Sequence, residues 1–298
     1  MEDQRKALLC GGLAVLVWST VATAFKIALR FLAPLQLLLV ADVVSALALF
    51  AVLACQGRLD RLRAMPRAQV LRACLLGLVN PFLYYAVLFQ SYALLPAQEA
   101  QPLNYTWAIT LTLLSVPLLG QKLRALDLAA ILVSYAGVLC IATHGDPLSL
   151  RFESPLGVAL ALGSTLLWAL YWIGNTRLKA DPVAALLLNF LAAFPCILAA
   201  TLAFSALPPL GWAGLLAGAY VGLFEMGLTF VLWLSAMRLA ARTPSGTARV
   251  ANLIFLSPFL SLVFIHFLLG EAIRASTLAG LVCIIAGNAL QQTGKQTK

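Results

Sequence analysis

Three short polar and aromatic stripes interrupt a sequence made mostly of leucine, alanine and valine. One contains Asn80 and Tyr84, and another contains Gln101 and Tyr105, with Trp107 two positions further on. Residues three, four or seven positions apart share one face of a helix, so each stripe can line a surface. Amides and hydroxyls can hydrogen-bond a zwitterion, and aromatic rings can attract an ammonium group. The stripes predict a binding surface for a small zwitterion, with ordinary packing between helices as the alternative.

The third stripe runs through Ser164, Trp168, either Tyr171 or Trp172, and Asn175. Trp168 is roughly 13 residues into its apolar segment, which places it near the middle of a membrane about 30 Å thick. The rings of the second stripe fall at a similar depth, whereas rings that only anchor a span would lie at the interface. The depth favours cavity lining. For Tyr171 and Trp172, anchoring at the cytoplasmic interface is the alternative.

Two acids, Asp42 and Glu225, lie inside apolar segments. A charge in hydrocarbon is costly, and such residues usually serve a function. Proton coupling through either acid is one interpretation; a neutral or paired carboxyl with facilitated diffusion is the other. His144 is expected in a solvated loop. The six cysteines form no CxxC pair and the sequence has no P-loop, so it predicts no metal site, no cofactor, no enzyme and no direct use of ATP.

The elements that must hold these residues are membrane helices. Hydrophobic residues make up 62% of the 298 residues and charged residues only 10%, too few to cover a soluble domain. A spanning helix needs about 20 apolar residues. Ten segments of this kind are predicted, at residues 6–29, 33–56, 68–93, 96–119, 124–143, 155–178, 182–205, 210–240, 243–269 and 272–292. The predicted fold is an all-α integral membrane protein.

The basic residues predict how the chain is oriented in the membrane. With a cytoplasmic N-terminus, 16 of the 20 Lys and Arg residues fall in cytoplasmic segments and 4 fall outside. Positive residues concentrate on the cytoplasmic side of membrane proteins. Both termini are therefore expected in the cytoplasm, and membrane topology explains the net charge of +9 better than nucleic-acid binding does.

The chain resembles itself at a shift of 150 residues. Leu118–Gly137 aligns with Leu268–Gly287, and Trp18 aligns with Trp168. Each repeat would hold five spans, and an odd number inverts the second repeat in the membrane. Inverted repeats are typical of secondary transporters, which bind their substrate near the middle of the bilayer.

The most polar stretch between the repeats, residues 145–154, marks their boundary. The predicted repeats are 1–146, with helices 1–5, and 155–298, with helices 6–10. Within the second repeat, the run Gly214, Gly218 and Gly222 predicts a close contact between helices.

Several features of the sequence carry a resemblance to a known family. Ten spans in a repeat of five and five, "LGE" at Leu269–Glu271 and the preceding Pro258 resemble the drug/metabolite transporter superfamily, EamA type. "NYTWA" at Asn104–Ala108 is similar to a motif of bacterial amino-acid exporters in that superfamily, which also have a tryptophan in helix 6, matched here by Trp168. The chain departs from the family pattern where the motif's proline is alanine, and where Asp42 replaces an arginine that is frequent in helix 2.

The resemblance implies export of amino acids, aromatic and other neutral ones, by alternating access across the bacterial cytoplasmic membrane. The residues expected to bind the substrate are Asn80, Tyr84, Gln101, Tyr105, Trp107, Ser164, Trp168, Tyr171 and Asn175. The alternatives are a carrier of another metabolite or drug and a non-transporting membrane scaffold. The expected partners are the zwitterionic substrate and the lipid bilayer, with no nucleic acid; monomer and homodimer both remain open.

Overall fold

Every regular element is helical in the computed structural model, which describes residues 2–120, 122, 124–146, 154–241, 250 and 252–293. The α-helices that it describes are α1 (Glu2–Ser19), α2 (Val21–Ala28), α3 (Pro34–Cys55), α4 (Asp60–Arg63), α5 (Arg67–Gly77), α6 (Tyr84–Leu94), α7 (Ala97–Asn104), α8 (Trp107–Leu119), α9 (Ala125–Ala142), α10 (Pro155–Asn175), α11 (Pro182–Phe204), α12 (Trp212–Val221), α13 (Leu228–Ala240), α14 (Ser257–Phe264) and α15 (Ala275–Thr293). Shorter turns join some of them: π-helical at Leu78–Leu83, Gly222–Gly227 and Ile265–Leu269, and 3-10 at Asn252–Leu256.

Eight helices in the described part of the chain are long and apolar enough to cross a membrane. They are Asp3–Ala28, Pro34–Cys55, Arg67–Leu94, Ala125–Ala142, Pro155–Asn175, Pro182–Phe204, Trp212–Ala240 and Asn252–Leu269. Seven of them match a predicted segment to within a few residues. The eighth matches the end of the predicted 243–269 segment, whose first residues lie largely outside the described ranges. Helices are favoured in lipid because they satisfy their own backbone hydrogen bonds.

The fourth and tenth predicted segments are helical but differ from a single long span. The fourth is divided into α7 and α8, with Tyr105 and Thr106 in the turn between them. The tenth is α15, whose apolar part is Ala275–Leu290. The described residues therefore form an all-helical protein with eight candidate membrane spans, and the layout of ten spans in two repeats stays a prediction.

Proline and capping side chains begin several of these helices. Pro34, Pro155 and Pro182 are each the first residue of their helix, where a missing N–H costs little. Ser154 Oγ accepts a backbone N–H at the start of α10, and Asp181 accepts two at the start of α11. These caps satisfy N–H groups that have no partner inside the helix.

Contacts divide the chain into two compact units. Unit 1 comprises Met1–Phe82 and Lys179–Leu269, and unit 2 comprises Leu83–Leu178 and Gly270–Lys298. Each unit contains segments from both halves of the sequence, so this division differs from the predicted repeats.

In unit 1, α3 packs closely against α12 and the π-helical turn that follows it. A side chain added at Gly218 would collide with Val40, and one added at Gly222 would collide with the backbone of Ala41. The glycine run therefore makes the close helix contact that the sequence predicts. In the same unit, α1 packs against α13 and α3 against α11.

In unit 2, α10 packs against α6, α7 and α8, and α9 packs against α15. The α9–α15 contact is close because Gly137 and Gly280 lie against each other's backbone. Packing around α10 brings most of the polar and aromatic stripes onto neighbouring helices.

Candidate functional site

Trp168 of α10 lies at the centre of an aromatic cluster in unit 2. Its ring centroid is 4.7 Å from that of Tyr84, with the planes tilted by 36°, and 5.9 Å from that of Tyr171. Trp107 approaches edge-on at 6.4 Å, and Trp172 does so at 6.1 Å. Ring pairs at such separations stabilise each other beyond simple burial. The two tyrosines are buried, whereas Trp107 and Trp168 are only half-buried, which leaves part of their ring surface accessible.

A hydrogen-bonded bridge runs beside the aromatic cluster. The side-chain amide of Asn104, the last residue of α7, donates to Ser164 Oγ at 2.9 Å. Its oxygen accepts from the Tyr84 hydroxyl at 3.4 Å, and Ser164 donates in turn to the carbonyl of Ala161 at 2.7 Å. Polar networks satisfied in this way hold their members in one arrangement. The bridge therefore joins α6, α7 and α10 next to the rings.

The helix break between α7 and α8 lies immediately after this bridge. The Thr106 N–H donates to the carbonyl of Leu103 at 3.2 Å. These residues are three positions apart, as in a 3-10 helix, whereas an α-helix bonds residues four positions apart. Pro102 has no backbone N–H to donate. The Tyr105 carbonyl accepts from the side-chain amide of Asn288 on α15 at 3.3 Å. Broken helices of this kind present backbone polar groups at the binding sites of secondary transporters.

Two polar side chains on these elements each bury an oxygen atom. Gln101 Oε1 and Asn288 Oδ1 have no hydrogen-bond partner among the described residues, although both residues are only 5% exposed. Buried polar atoms normally have a partner. Each of these oxygens can therefore accept a hydrogen bond from an ammonium group.

The comparisons with known proteins assign the chain to a family. The model of the EamA-like transporter family matches it twice, over residues 5–143 and 155–291. The chain belongs to the EamA-like transporter family. It is 27% identical to the aromatic amino acid exporter YddG of Ancylobacter novellus over 301 residues, covering 98% of each chain. It is 25% identical to the uncharacterized transporter YvbV of Bacillus subtilis, covering 98% of this chain and 93% of that one.

A solved crystal structure shares the fold of this family member. The match has a TM-score of 0.67 and 21% sequence identity, and covers 98% of this chain and 99% of the other. Together with the eight apolar helices, the family match identifies a multi-pass membrane protein. The family resemblance that the sequence predicts is therefore confirmed, and the family is one of transporters rather than of enzymes.

Three of the nine residues predicted to bind substrate place their rings around a fourth, Trp168: Tyr84, Trp107 and Tyr171. Ser164 belongs to the hydrogen-bonded bridge beside these rings. Gln101 and Tyr105 lie at the helix break. Asn175 is the last residue of α10, about two helical turns beyond Trp168.

Asn80 departs from the predicted arrangement. It belongs to unit 1, and its backbone is extended, with φ −142° and ψ 119°. The prediction that it shares a helical face with Tyr84 was wrong, because a spacing of four residues aligns side chains only where the backbone is helical. Its side-chain oxygen is buried without a hydrogen-bond partner in the described part of the chain.

Sequence reasoning missed one residue of the site in unit 2 and a separate aromatic group in unit 1. Asn104 stands three positions after Gln101 and so shares its helix face, a signal that could have identified it. In unit 1, the ring of Trp18 is 5.5 Å from the rings of both Phe230 and Trp233. The sequence did contain a signal for this second aromatic group, because Trp18 aligns with Trp168 at the shift of 150 residues.

A charged group at one end of unit 2, here called the charged bracket, consists of Glu99, His144 and Arg274. The Glu99 carboxylate pairs with Arg274 and lies 3.0 Å from His144 Nε2. The Glu99 side chain is only 2% exposed. His144 is exposed, as the sequence predicts, but its imidazole also lies against a buried carboxylate, because the end of α9 contacts α7.

The glutamate of the "LGE" motif has a structural role next to this bracket. Glu271 accepts the backbone N–H groups of Ala97 at 2.9 Å and Gln98 at 3.2 Å. A carboxylate at this position also complements the positive end of the helix dipole. Glu271 therefore caps the start of α7, the helix that ends at the break.

The two acids predicted for coupling both lie in unit 1. Asp42 is fully buried in α3, and Glu225 is half-buried in the π-helical turn Gly222–Gly227. Ser45 Oγ donates to the carbonyl of Gly222 at 2.9 Å. The two elements therefore meet one helical turn from Asp42.

Proposed function

We propose that the protein exports amino acids, aromatic and other neutral ones, across the cytoplasmic membrane by alternating access. The observation that carries this proposal is the half-buried ring of Trp168 beside the Asn104 bridge and the helix break at Tyr105. Aromatic faces pack apolar side chains and attract ammonium groups. Amide, hydroxyl and backbone groups can bind a carboxylate and an ammonium group without a fixed charge. The Ancylobacter novellus relative, an aromatic amino acid exporter by name, supports the same substrate class.

The sequence around the aromatic cluster disfavours phosphate-bearing solutes. Residues 83–119 and 155–176 contain no lysine or arginine. Proteins bind phosphate mostly through these cations. A small zwitterion, whose charges balance within the molecule, fits such a surface better than a nucleotide sugar does.

We propose further that the spans form the two predicted inverted repeats around a central cavity at the middle of the membrane. At the shift of 150, Gly137 corresponds to Gly287, and Ala130 corresponds to Gly280. A side chain added at Gly137 would meet the carbonyl of Gly280, and one added at Gly287 would meet that of Ala130. Exchanging each residue for its counterpart in the other repeat turns the first contact into the second. An internal two-fold axis requires this equivalence. This reciprocal pair supports the repeat.

Ion pairs within each unit support ten alternating spans with both termini in the cytoplasm. Arg58 and Arg61, between the second and third predicted segments, pair with Asp181, between the sixth and seventh. The charged bracket joins the start of the fourth segment, the end of the fifth and the start of the tenth. In the predicted topology, the first group is cytoplasmic and the second is external, so neither ion-pair group requires a loop to cross the bilayer.

Transport by the purified protein in liposomes tests the substrate class. Liposomes loaded with unlabelled phenylalanine are placed in labelled phenylalanine, tryptophan or another neutral amino acid, and counterflow is measured. We expect uptake of the amino acids and none of a nucleotide sugar. Flux of a drug or another metabolite without amino-acid flux would replace the proposed substrate. Absence of flux for every solute tested would favour a membrane scaffold.

Trp168→Ala tests the binding surface itself. Removal of the central ring should weaken the apparent affinity by about tenfold, because the lost ring contact contributes about 1–1.5 kcal/mol. Trp212→Ala is the matched control, because Trp212 is 79% exposed at the start of α12. Unchanged transport by Trp168→Ala at wild-type abundance would remove this tryptophan from the site.

A further inference from the structure

A buried carboxyl lies in α3, about one helical turn from the point where Ser45 of that helix contacts the π-helical turn Gly222–Gly227 in unit 1. Asp42 is 0% exposed, and neither of its carboxylate oxygens has a hydrogen-bond partner among the described residues. It is the ninth residue of the 22-residue helix α3. It therefore lies well inside the span, too far from the helix end for its short side chain to reach the interface.

The surroundings of Asp42 offer little to stabilise a negative charge. The Ser45 hydroxyl, one turn away, already donates to the carbonyls of Ala41 at 2.6 Å and Gly222 at 2.9 Å. The elements packed against α3 contribute four other titratable or charged groups: Glu225 in the π-helical turn, Tyr220 in α12, Cys196 in α11 and Arg238 in α13. The only cation of the four is in the last turn of α13, roughly 15 Å along the helix from the π-helical turn.

The contact between α3 and the π-helical turn is therefore compatible with a neutral Asp42. An ionised carboxylate without a partner is far more costly to bury than the protonated acid. The contact is also tight, because Gly222 lies against the backbone of Ala41 and leaves no room for a side chain. The packing around α3 leaves the carboxyl 0% exposed, so a proton must be bound before the helix packs in this way.

We propose that Asp42 is a proton-binding site, loaded in this conformation and emptied when α3 separates from the π-helical turn. A π-helical turn can change its hydrogen-bond register locally, and such turns are frequent at functional sites. On loading, an O–H bond of a hydronium ion breaks as an O–H bond forms on the carboxylate, leaving water. On release, the carboxyl O–H bond breaks and a water molecule accepts the proton. The inference rests on the proposed transport function and adds that each passage through the closed conformation carries one proton.

Counterflow and gradient-driven uptake in liposomes test this coupling. A pH difference of one unit should drive accumulation of labelled phenylalanine by about tenfold in the wild type, if one proton moves per substrate. Asp42→Asn has the shape of the protonated acid but cannot release a proton. We expect it to keep counterflow within about twofold of the wild type and to lose the accumulation. Asp60→Asn, whose side chain is 90% exposed, should accumulate substrate as the wild type does.

The same experiment can overturn the proposal. Accumulation by Asp42→Asn equal to that of the wild type would assign the proton elsewhere, and loss of accumulation in Glu225→Gln alone would assign it to that glutamate. If Asp42→Asn does not fold, Asp42→Ser removes the same carboxyl and should show the same separation of counterflow from accumulation.

Infrared spectroscopy of the purified protein provides a measurement that does not depend on transport. We expect the carbonyl stretch of a protonated carboxylic acid at neutral pH in the wild type, and its loss in Asp42→Asn. If this band is present but no amino acid is transported, the proton site stands and the proposed substrate fails. If amino acids are transported but the band is missing or is unchanged in Asp42→Asn, the proton site fails alone.

Discussion

Asn104 is the side chain that ties the aromatic rings to the helix break. It bonds both the Tyr84 hydroxyl and Ser164, so Asn104→Ala removes two hydrogen bonds at once. Each is worth about 0.5–1.5 kcal/mol, and their loss frees the ring of Tyr84 to turn away from Trp168. We expect the apparent affinity for aromatic amino acids to weaken by about tenfold, measured by counterflow and by tryptophan fluorescence.

Thr110→Val is the matched control for Asn104→Ala. Thr110 bonds to Thr165 at 2.8 Å, so it also connects the fourth predicted segment with α10, but further along the helices. We expect this variant to keep the wild-type affinity at a comparable loss of stability. If both variants weaken the apparent affinity equally, Asn104 contributes only to packing between helices.

At the scale of single residues, the sequence identified rings more readily than polar partners. A tryptophan in the middle of an apolar segment has few explanations, and Trp107 and Trp168 do meet. The prediction that Asn80 shares a helical face with Tyr84 was wrong because the backbone at Asn80 is extended. Pro81 disfavours a helical conformation at the preceding residue, and this signal was present in the sequence.

At the scale of helices, apolar length predicted the elements and glycine spacing predicted one of their contacts. The break in the fourth segment was harder to locate. The sequence predicts one span over residues 96–119, whereas the structure interrupts the helix at Tyr105 and Thr106. Side-chain bonds from other helices, such as that from Asn288, decide where the turn forms. Such long-range partners have no local sequence signal.

Gly222→Ala tests the close contact between α3 and the π-helical turn. The added methyl group would lie 2.6 Å from the carbonyl oxygen of Ala41 and 3.0 Å from Val44 Cβ. Because backbone must move to relieve this clash, we expect a loss of about 1–3 kcal/mol, seen as a lower Tm in detergent. Gly12→Ala in α1 of the same unit is the control.

Gly12→Ala should change stability in the opposite direction. Nothing lies within 4 Å of the added methyl group, and alanine favours helix over glycine by about 1 kcal/mol. A Tm that falls equally in both variants would contradict the packing argument, since the substitution would then act through the helix backbone and not through Ala41.

At the scale of the whole molecule, charge and topology give one consistent picture. The concentration of Lys and Arg predicts which loops are cytoplasmic. The ion pairs that Asp181 and Glu99 make within the described residues join loops assigned to the same side. The inverted repeat is a prediction from the sequence, made because glycines and tryptophans recur at one spacing. The division into two compact units could not be predicted from the sequence. Each unit contains helices from both predicted repeats, and it depends on packing between side chains that are far apart in the chain.

Cysteine labelling in intact cells tests this orientation. In a background with the six native cysteines replaced by serine, Asp60→Cys should resist a membrane-impermeant maleimide until the cells are permeabilised, whereas Leu210→Cys should react at once. Both positions are suitable because the Asp60 side chain is 90% exposed and Leu210 is 89% exposed. The predicted topology puts the first in the cytoplasm, beside Arg58 and Arg61, and the second outside. The reverse pattern would invert the protein in the membrane and place 16 of the 20 Lys and Arg residues outside, against the positive-inside rule.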